Sequence, residues 1–417
     1  MTETNSYPDK FDTLIKNTNF HRLPEDEQAF IKKEALRHRF SFQELKQLID
    51  MAIDFRMWGE AQIKEVWPEG LNRKNSFNAL RNTWNALKAA PNSYADFNPD
   101  NYKAEQKISF VENEKENLGL GMCPVASPKT RCCNLLTLDA VESCGFDCSY
   151  CSIQSFYNQN RIGLESNLAE KLKNLDLDPE KTYHIGTGQS SDSLLWGNRA
   201  GILDALFDFA GNNPNVILEF KTKSDNIGYL LEHDVPKNII CTWSLNTETI
   251  IKNEEHLTAP LEKRIASARR LADKGVLVGF HFHPIVEYED YLQEYSGVYK
   301  TLLDTFDPQE VALVSLGTLT FIKPVIKQLR ERNFKSKILQ MPLVDASGKQ
   351  SYPLETKLEM FKHAYDCFKS WHDKVFFYMC MEDHSLWQDV FGYRYETNEE
   401  FEEAMLASYS KKIRSAI

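Results

Sequence analysis

The chain has 417 residues, 42% apolar and 26% charged, a composition that folds into globular bodies and excludes long disordered or low-complexity segments. Its formal net charge of -11 carries no overall basic footprint for nucleic acid, so any such contact must come from a local groove. The first residues, MTETNSYPDKFDTLIKN, show neither a basic nor an apolar leader, and no run of about 18 apolar residues follows, which reads as a cytoplasmic chain with no membrane contact.

Residues 1–128 read as a helical amino-terminal region. After Pro24, EDEQAFIKKEALRHRF and SFQELKQLIDMAIDFRMWGEAQIKEVW repeat apolar residues at intervals of three and four, and Ser41 with Glu44 predicts a capping box. NSFNALRNTWNALKAA predicts another helix, its Asn, Arg and Lys side chains forming a solvated face. From about residue 132 the pattern changes to short β-rich runs: CCNLLTLDAV, TYHIGTG, NVILEFKT, NIICTWSLN, VLVGFHFHPIV and EVALVSLGT. Helical stretches near 164–175, 199–211, 225–234, 258–274, 289–305 and 320–332 alternate with them, and such alternation implies a parallel sheet. Polar residues at the carboxyl ends of several strands favour a curved sheet over a flat one. The expected fold is therefore α/β: a partial (β/α)6 TIM-like barrel over 129–345, with the helical region before it. A C-terminal α/β extension over 346–417 caps it, built from a helix at 355–373 and the strand KVFFYMCMED, with KILQMPLVD leading into it. No Rossmann glycine fingerprint or phosphate loop occurs.

Three of the nine cysteines fall within eight residues of VESCGFDCSYCSIQSF, directly after the first predicted strand. Cys144, Cys148 and Cys151 are too close together to staple a domain, and in a reducing compartment such a cluster favours metal or catalysis. Three thiolates at a barrel mouth can hold three corners of a cubane iron-sulfur cluster and leave one iron for an outside ligand. The competing reading is zinc, with Cys123, Cys132 or Cys133 as fourth thiolate, although the second knuckle of a structural zinc site is missing.

This Cys-x3-Cys-x2-Cys spacing before a run of strands resembles the radical S-adenosylmethionine superfamily. IGTGQSSD (185–192), LEFKTKSDNIGYLL (218–231) and TWSLNTETIIKNEEHLTAPLEKRIASARRLADKGVLVGF (242–280) resemble more closely the spore photoproduct lyase family, with Ser244, Asn246, Glu255, Leu261, Arg264 and Gly279 in its pattern. The resemblance implies a [4Fe-4S] cluster on Cys144, Cys148 and Cys151, with S-adenosyl-L-methionine on the fourth iron. It places Lys223, Ser244 and Ser190 against the cofactor carboxylate and Gly186, Thr187 and Gly188 against its amino group, and puts Asn246 in the same binding set. It also implies carbon-carbon lyase chemistry on a DNA lesion or nucleobase, fed by a one-electron donor such as flavodoxin or ferredoxin.

Two positions depart from that family. Gln189 stands where the lyase carries a hydrogen-donating cysteine, and Ser152 stands where it carries a tyrosine after the third cluster cysteine; Tyr150 is kept. An amide cannot return a hydrogen atom as a thiol does, so the residues expected to take part in the reaction are sought elsewhere. Cys380, at the end of KVFFYMCMED, is one candidate. His281 and His283, on the strand face opposite Phe280 and Phe282, are the others. Cys241, Cys132 and Cys133 read as packing residues, and Trp387 as a core or lid tryptophan. A radical enzyme for a peptide or small metabolite is the same-class alternative, and a noncatalytic zinc-containing nucleic-acid or protein adaptor the different-class one.

Overall fold

A computed structural model describes residues 7–99, 108–114, 118–123, 129–152, 160–332 and 334–415. The chain divides into two compact units.

The smaller unit comprises residues 1–103, 287–289 and 321–344. Helices Glu25–His38, Phe42–Trp58 and Arg73–Ala89 form its body. The expected capping box is present: the Ser41 amide donates to Glu44 at 2.8 Å and the Glu44 amide to Ser41 Oγ at 3.4 Å. Leu45, Leu48, Ile49, Ala52 and Phe55 supply the buried stripe of Phe42–Trp58, and Asp54 is buried among them. Arg330, on helix Lys323–Glu331, pays for that burial by donating two 2.8 Å hydrogen bonds to Asp54, while Trp84 Nε1 donates a third at 2.9 Å. This charged contact explains why residues 321–344 cluster with the amino-terminal helices and not with the strands before them.

The larger unit comprises residues 104–286, 290–320 and 345–417 and holds a curled eight-stranded sheet. Seven of its strands are parallel: β1 (Leu136–Leu138), β2 (Tyr183–Gly186), β3 (Val216–Thr222), β4 (Ile239–Ser244), β5 (Leu277–Ile285), β6 (Val311–Thr318) and β7 (Phe376–Met379). They lie in the order β7-β6-β5-β4-β3-β2-β1, and Leu120–Met122 adds an antiparallel edge beside β1. All six predicted strands are present. KVFFYMCMED, assigned to a capping extension, is a seventh parallel member, paired with β6 from Leu313↔Phe376 to Leu316↔Met379.

Alternation along β5 matches the expectation. Phe280 packs on Phe306, and Phe282 on Tyr295, Tyr299 and Phe368, so His281 and His283 face inward. Gly279 is needed where β4 and β6 flank β5, because a Cβ there would sit 2.8 Å from Leu313 and 3.0 Å from Thr242.

Two local readings change. The region 1–128 is not helical throughout: Ser109–Asn113 and Leu120–Met122 are strands. The stretch 164–175 begins as strand Arg161–Glu165, parallel to Ser109–Asn113, and becomes helical only over Leu168–Lys173. The strand forms because Ile162, Gly163 and Leu164 are buried and the last two are paired on both sides, which overrides the helical spacing of the leucines.

The carboxyl-terminal helix Asn398–Ser415 ties the two sides of the curled sheet. Asn398 accepts the Cys132 amide at 3.0 Å, Glu402 accepts Asn134 at 2.7 Å, and Lys412 donates to the Val311 carbonyl at 2.6 Å. Thr130 and Asp383 pair antiparallel, so the segment before β1 lies beside the segment after β7.

Candidate active site

Cys144, Cys148 and Cys151 lie on the loop after β1 and border one cavity of about 1100 Å³ at the carboxyl ends of the strands. The loop is held by its pairing with Glu255–His256: Asp147 and Cys148 form an antiparallel pair with that segment, and the Ser149 amide donates to the Glu254 carbonyl at 2.8 Å. Tyr150 donates its hydroxyl to Glu255, and Ser149 to Glu254. Glu255 in turn receives Arg264 Nη2 at 2.7 Å and Asn246 Nδ2 at 3.3 Å. Arg264 is fully buried and spends its remaining donors on the Ser244 and Ala259 carbonyls and Thr258. Burial opposes the Glu255 charge, yet Arg264 and then Lys223 hold its carboxyl below the usual range. A buried ion pair therefore fixes the cysteine loop to β4.

Gly145, between the first two cysteines, faces Trp196 so closely that a Cβ would meet the indole at 2.5 Å. Burial pushes the Cys144 and Cys148 thiols well up, so metal loading has to displace their protons. Among the described residues no three His, Cys, Asp or Glu side chains converge closely enough to chelate one ion. Three thiolates on one loop suit a cubane, which takes each on a different iron and leaves one iron for an outside ligand, so the donor set fits the cluster.

Lys223 and Ser244 border the same cavity, and the Lys223 ammonium lies 5.7 Å from the Tyr150 ring centre. The Lys223 amide donates to Asp192 at 2.7 Å. Asp192 also accepts the Leu194 and Leu195 amides and the Thr222 hydroxyl, so it shapes the turn beneath the cavity. Gly188 borders the cavity where only glycine fits: a Cβ would lie 2.9 Å from the Lys221 carbonyl oxygen.

Four residues of the expected cofactor set do not border this cavity. Asn246 is fully buried with both amide atoms engaged, by Glu255, the Pro284 carbonyl, the Thr247 amide and the Tyr295 hydroxyl. Ser190 donates to the Val141 carbonyl at 2.7 Å, and Thr187 to Ser193 at 2.8 Å. These side chains brace the loops behind the cavity. Gly186 borders a second chamber instead.

That second chamber, about 810 Å³, lies in the barrel lumen and shares Gly188, Gln189, Lys221, His283 and Met381 with the first. His281, Cys380 and Cys123 border it, as do Cys132 and Cys133, which the sequence reading assigned to packing. Glu219 receives hydrogen bonds from His281 at 2.7 Å, His184 at 2.8 Å and Thr242 at 2.7 Å. Burial works against its charge, and those ring partners hold the carboxyl well below the usual range. Burial and then the Lys221 charge pull His281 down to about 4, so its ring is neutral at pH 7, with Nδ1 buried and unpartnered. His283 is also pulled down, mainly by burial, and shares a 2.8 Å hydrogen bond with Ser315. Burial pushes the Cys380 thiol up to about 12. Trp387 is buried against Phe391, Tyr395 and Phe401, a core residue.

Comparison with known proteins agrees with this architecture. The family model described as spore photoproduct lyase matches residues 136–352, just over half the chain. The chain belongs to the spore photoproduct lyase family. Among curated members, the spore photoproduct lyase of Clostridium acetobutylicum is 28% identical over 180 residues, covering 42% of this chain and 53% of that protein. The lyase of Bacillus subtilis is 26% identical over 206 residues, covering 48% and 60%. The chain thus spans little more than half the length of these relatives. Its fold is similar to a solved spore photoproduct lyase complexed with dinucleoside spore photoproduct, with a TM-score of 0.56 and 19% identity, covering 65% of this chain and 82% of that one. A spore photoproduct lyase mutant with bound AdoMet and dinucleoside spore photoproduct matches with a TM-score of 0.55, 19% identity and the same coverage. The family pattern in Asn246, Glu255 and Arg264 is the brace behind the cysteine loop, while Glu219, Lys221 and the lumen thiols belong to the second chamber.

Proposed function

We propose that this protein is a radical S-adenosylmethionine lyase of the spore photoproduct lyase type, acting on a DNA lesion or a related nucleobase substrate. The observation that carries the reading is the placement of Cys144, Cys148 and Cys151 on one cavity with Lys223, Ser244 and Gly188, opening into a lumen lined by neutral histidines and thiols. When bound, the [4Fe-4S] cluster and S-adenosyl-L-methionine supply a 5'-deoxyadenosyl radical. Cys144, Cys148 and Cys151 would hold the cluster. Lys223 would serve the cofactor carboxylate as a charge-assisted donor, and the glycine at 188 would let backbone approach the ligand. His281 and His283, neutral in the lumen, offer hydrogen bonds to a polar base edge without adding charge, and Cys380 faces the same space. A flavodoxin- or ferredoxin-type donor supplies the electron.

Purified anaerobically with iron and sulfide, the protein is expected to show a reducible cubane signal by electron paramagnetic resonance and to release 5'-deoxyadenosine; Cys148→Ala abolishes both. Bound zinc with no 5'-deoxyadenosine rejects the reading. Gln189 and the charge of -11 favour a second reading, a peptide or small-metabolite substrate. Salt-sensitive binding of lesion-bearing oligonucleotide separates the two, because phosphate contacts release counterions.

A further inference from the structure

Glu219, Lys221 and Lys223 leave β3 and its end on one face, and the two lysines serve different spaces. The Lys223 charge bears on Cys148 and Glu255, at the cysteine loop, and its ammonium lies over the Tyr150 ring. The Lys221 charge bears on His281, His283 and Cys380, so it stands on the lumen side, at the neck where both chambers meet Gly188, Gln189 and His283. Its backbone amide is held by Ser193 Oγ at 3.0 Å, but among the described residues its ammonium makes no hydrogen bond or ion pair. The acids that border the two chambers, Asp192 and Glu219, offer it no free acceptor. The Asp192 oxygens take the Thr222 hydroxyl and the amides of Leu194, Leu195 and Lys223. Those of Glu219 take Thr242, His184 and His281. Glu219 attracts Lys221 through space without bonding it, and the Cys380 thiol is protonated at pH 7 and supplies no charge. Three unmatched N–H donors and a positive charge at the neck of a closed chamber are a site for an anion.

We infer that Lys221 binds the phosphodiester that joins the two nucleotides of the lesion, and so selects a linked dinucleotide over free nucleosides. This rests on the radical-lyase reading above and adds a substrate contact to it. Nucleobase edges are neutral at pH 7, and the neutral rings of His281 and His283 suit them. A base alone therefore leaves the Lys221 charge unmatched, and Lys223, on the cysteine side, is the cation assigned to the cofactor carboxylate. In a lesion that spans two nucleotides the group that carries charge between the bases is the bridging phosphate, which a lysine ammonium binds as a point charge. Lys221 is a binding residue in this scheme and takes no part in the bond-breaking step.

The test compares two probes that differ in that group: dinucleotide spore photoproduct, which has the phosphodiester, and dinucleoside spore photoproduct, which lacks it. Binding is measured at equilibrium on the full chain, reconstituted anaerobically with iron and sulfide and given S-adenosylmethionine but no reductant. Wild type should hold the dinucleotide about tenfold tighter than the dinucleoside, the worth of one charge-assisted contact, and the difference should shrink as salt rises. Lys221→Met should erase the preference by weakening the dinucleotide alone, with dinucleoside and S-adenosylmethionine affinities kept, and Lys221→Arg should retain a preference. A merely structural lysine would weaken both probes alike. Equal affinities in wild type, or a preference that survives in Lys221→Met, overturns the inference. So does binding of neither probe, which points instead to a carboxylate on a peptide or metabolite. Release of 5'-deoxyadenosine after adding reductant is read separately: its absence in wild type rejects the radical-lyase reading, while a preference that depends on Lys221 still establishes the phosphate contact.

Discussion

At the residue scale, Arg264 carries the most consequence. Its guanidinium has no solvent access and its four hydrogen bonds serve the loop of Glu255 or the end of β4. Removing one partner of a buried pair leaves an uncompensated charge, a loss of about 3–5 kcal/mol. Arg264→Met is therefore expected to lower unfolding free energy by roughly that amount in urea titration and to reduce iron loading. Gly188→Ala places a methyl group against the Lys221 carbonyl and should weaken S-adenosylmethionine binding at least tenfold by equilibrium dialysis, with the cluster signal retained. A pH effect follows from His281. Its folded value of about 4 lies below the ordinary 6.5, so the unfolded chain takes up its proton first, and stability present above pH 6.5 is lost as pH falls toward 4. Lowered Glu219 acts in the same direction, since its charge is stabilised only in the fold. The melting temperature should drop between pH 6.5 and 4.5, and His281→Gln should flatten that slope.

At the scale of elements, the parallel strands were legible because each is a short apolar run followed by an amphipathic helix, a pattern that survives without tertiary information. The cysteine trio was legible because its three ligands are local. The brace behind it was not, since Glu255 finds Tyr150 and Arg264 only after the loop pairs with Glu255–His256, and no periodicity announces that pairing. The surroundings of Asn246 were hidden for the same reason: its position at the end of β4 suits ligand contact, and Tyr295 and Pro284 arrive from distant segments to hold its amide. Cys132 and Cys133 looked like packing residues because the chamber they face is closed by Cys380 and Phe401, more than 240 positions away. In the helical unit, Asp54→Ala removes the acceptor of Arg330 and Trp84, and should destabilise that unit by about 3–5 kcal/mol, read by hydrogen exchange over residues 42–58.

At the scale of the molecule, the family likeness ends at residue 352, yet β7 and the helix Asn398–Ser415 lie beyond it and complete the lumen. A chain cut after residue 352 loses the neighbour of β6 and bares an unpaired, buried strand edge, a template for aggregation. Such a truncation should partition into the insoluble fraction, while the full chain remains monodisperse by gel filtration.

The pairing of Thr130 with Asp383 and of Cys132 with Asn398 sets an order of assembly. Strands β1 to β6 can pair while the chain is still being synthesised, but the wall that shelters the Cys132 and Cys133 thiols waits for residues some 250 positions later. Until then those thiols face the surrounding solution, open to oxidants and stray metal ions; once Asn398 is in place, access to them is governed by the width of the lumen.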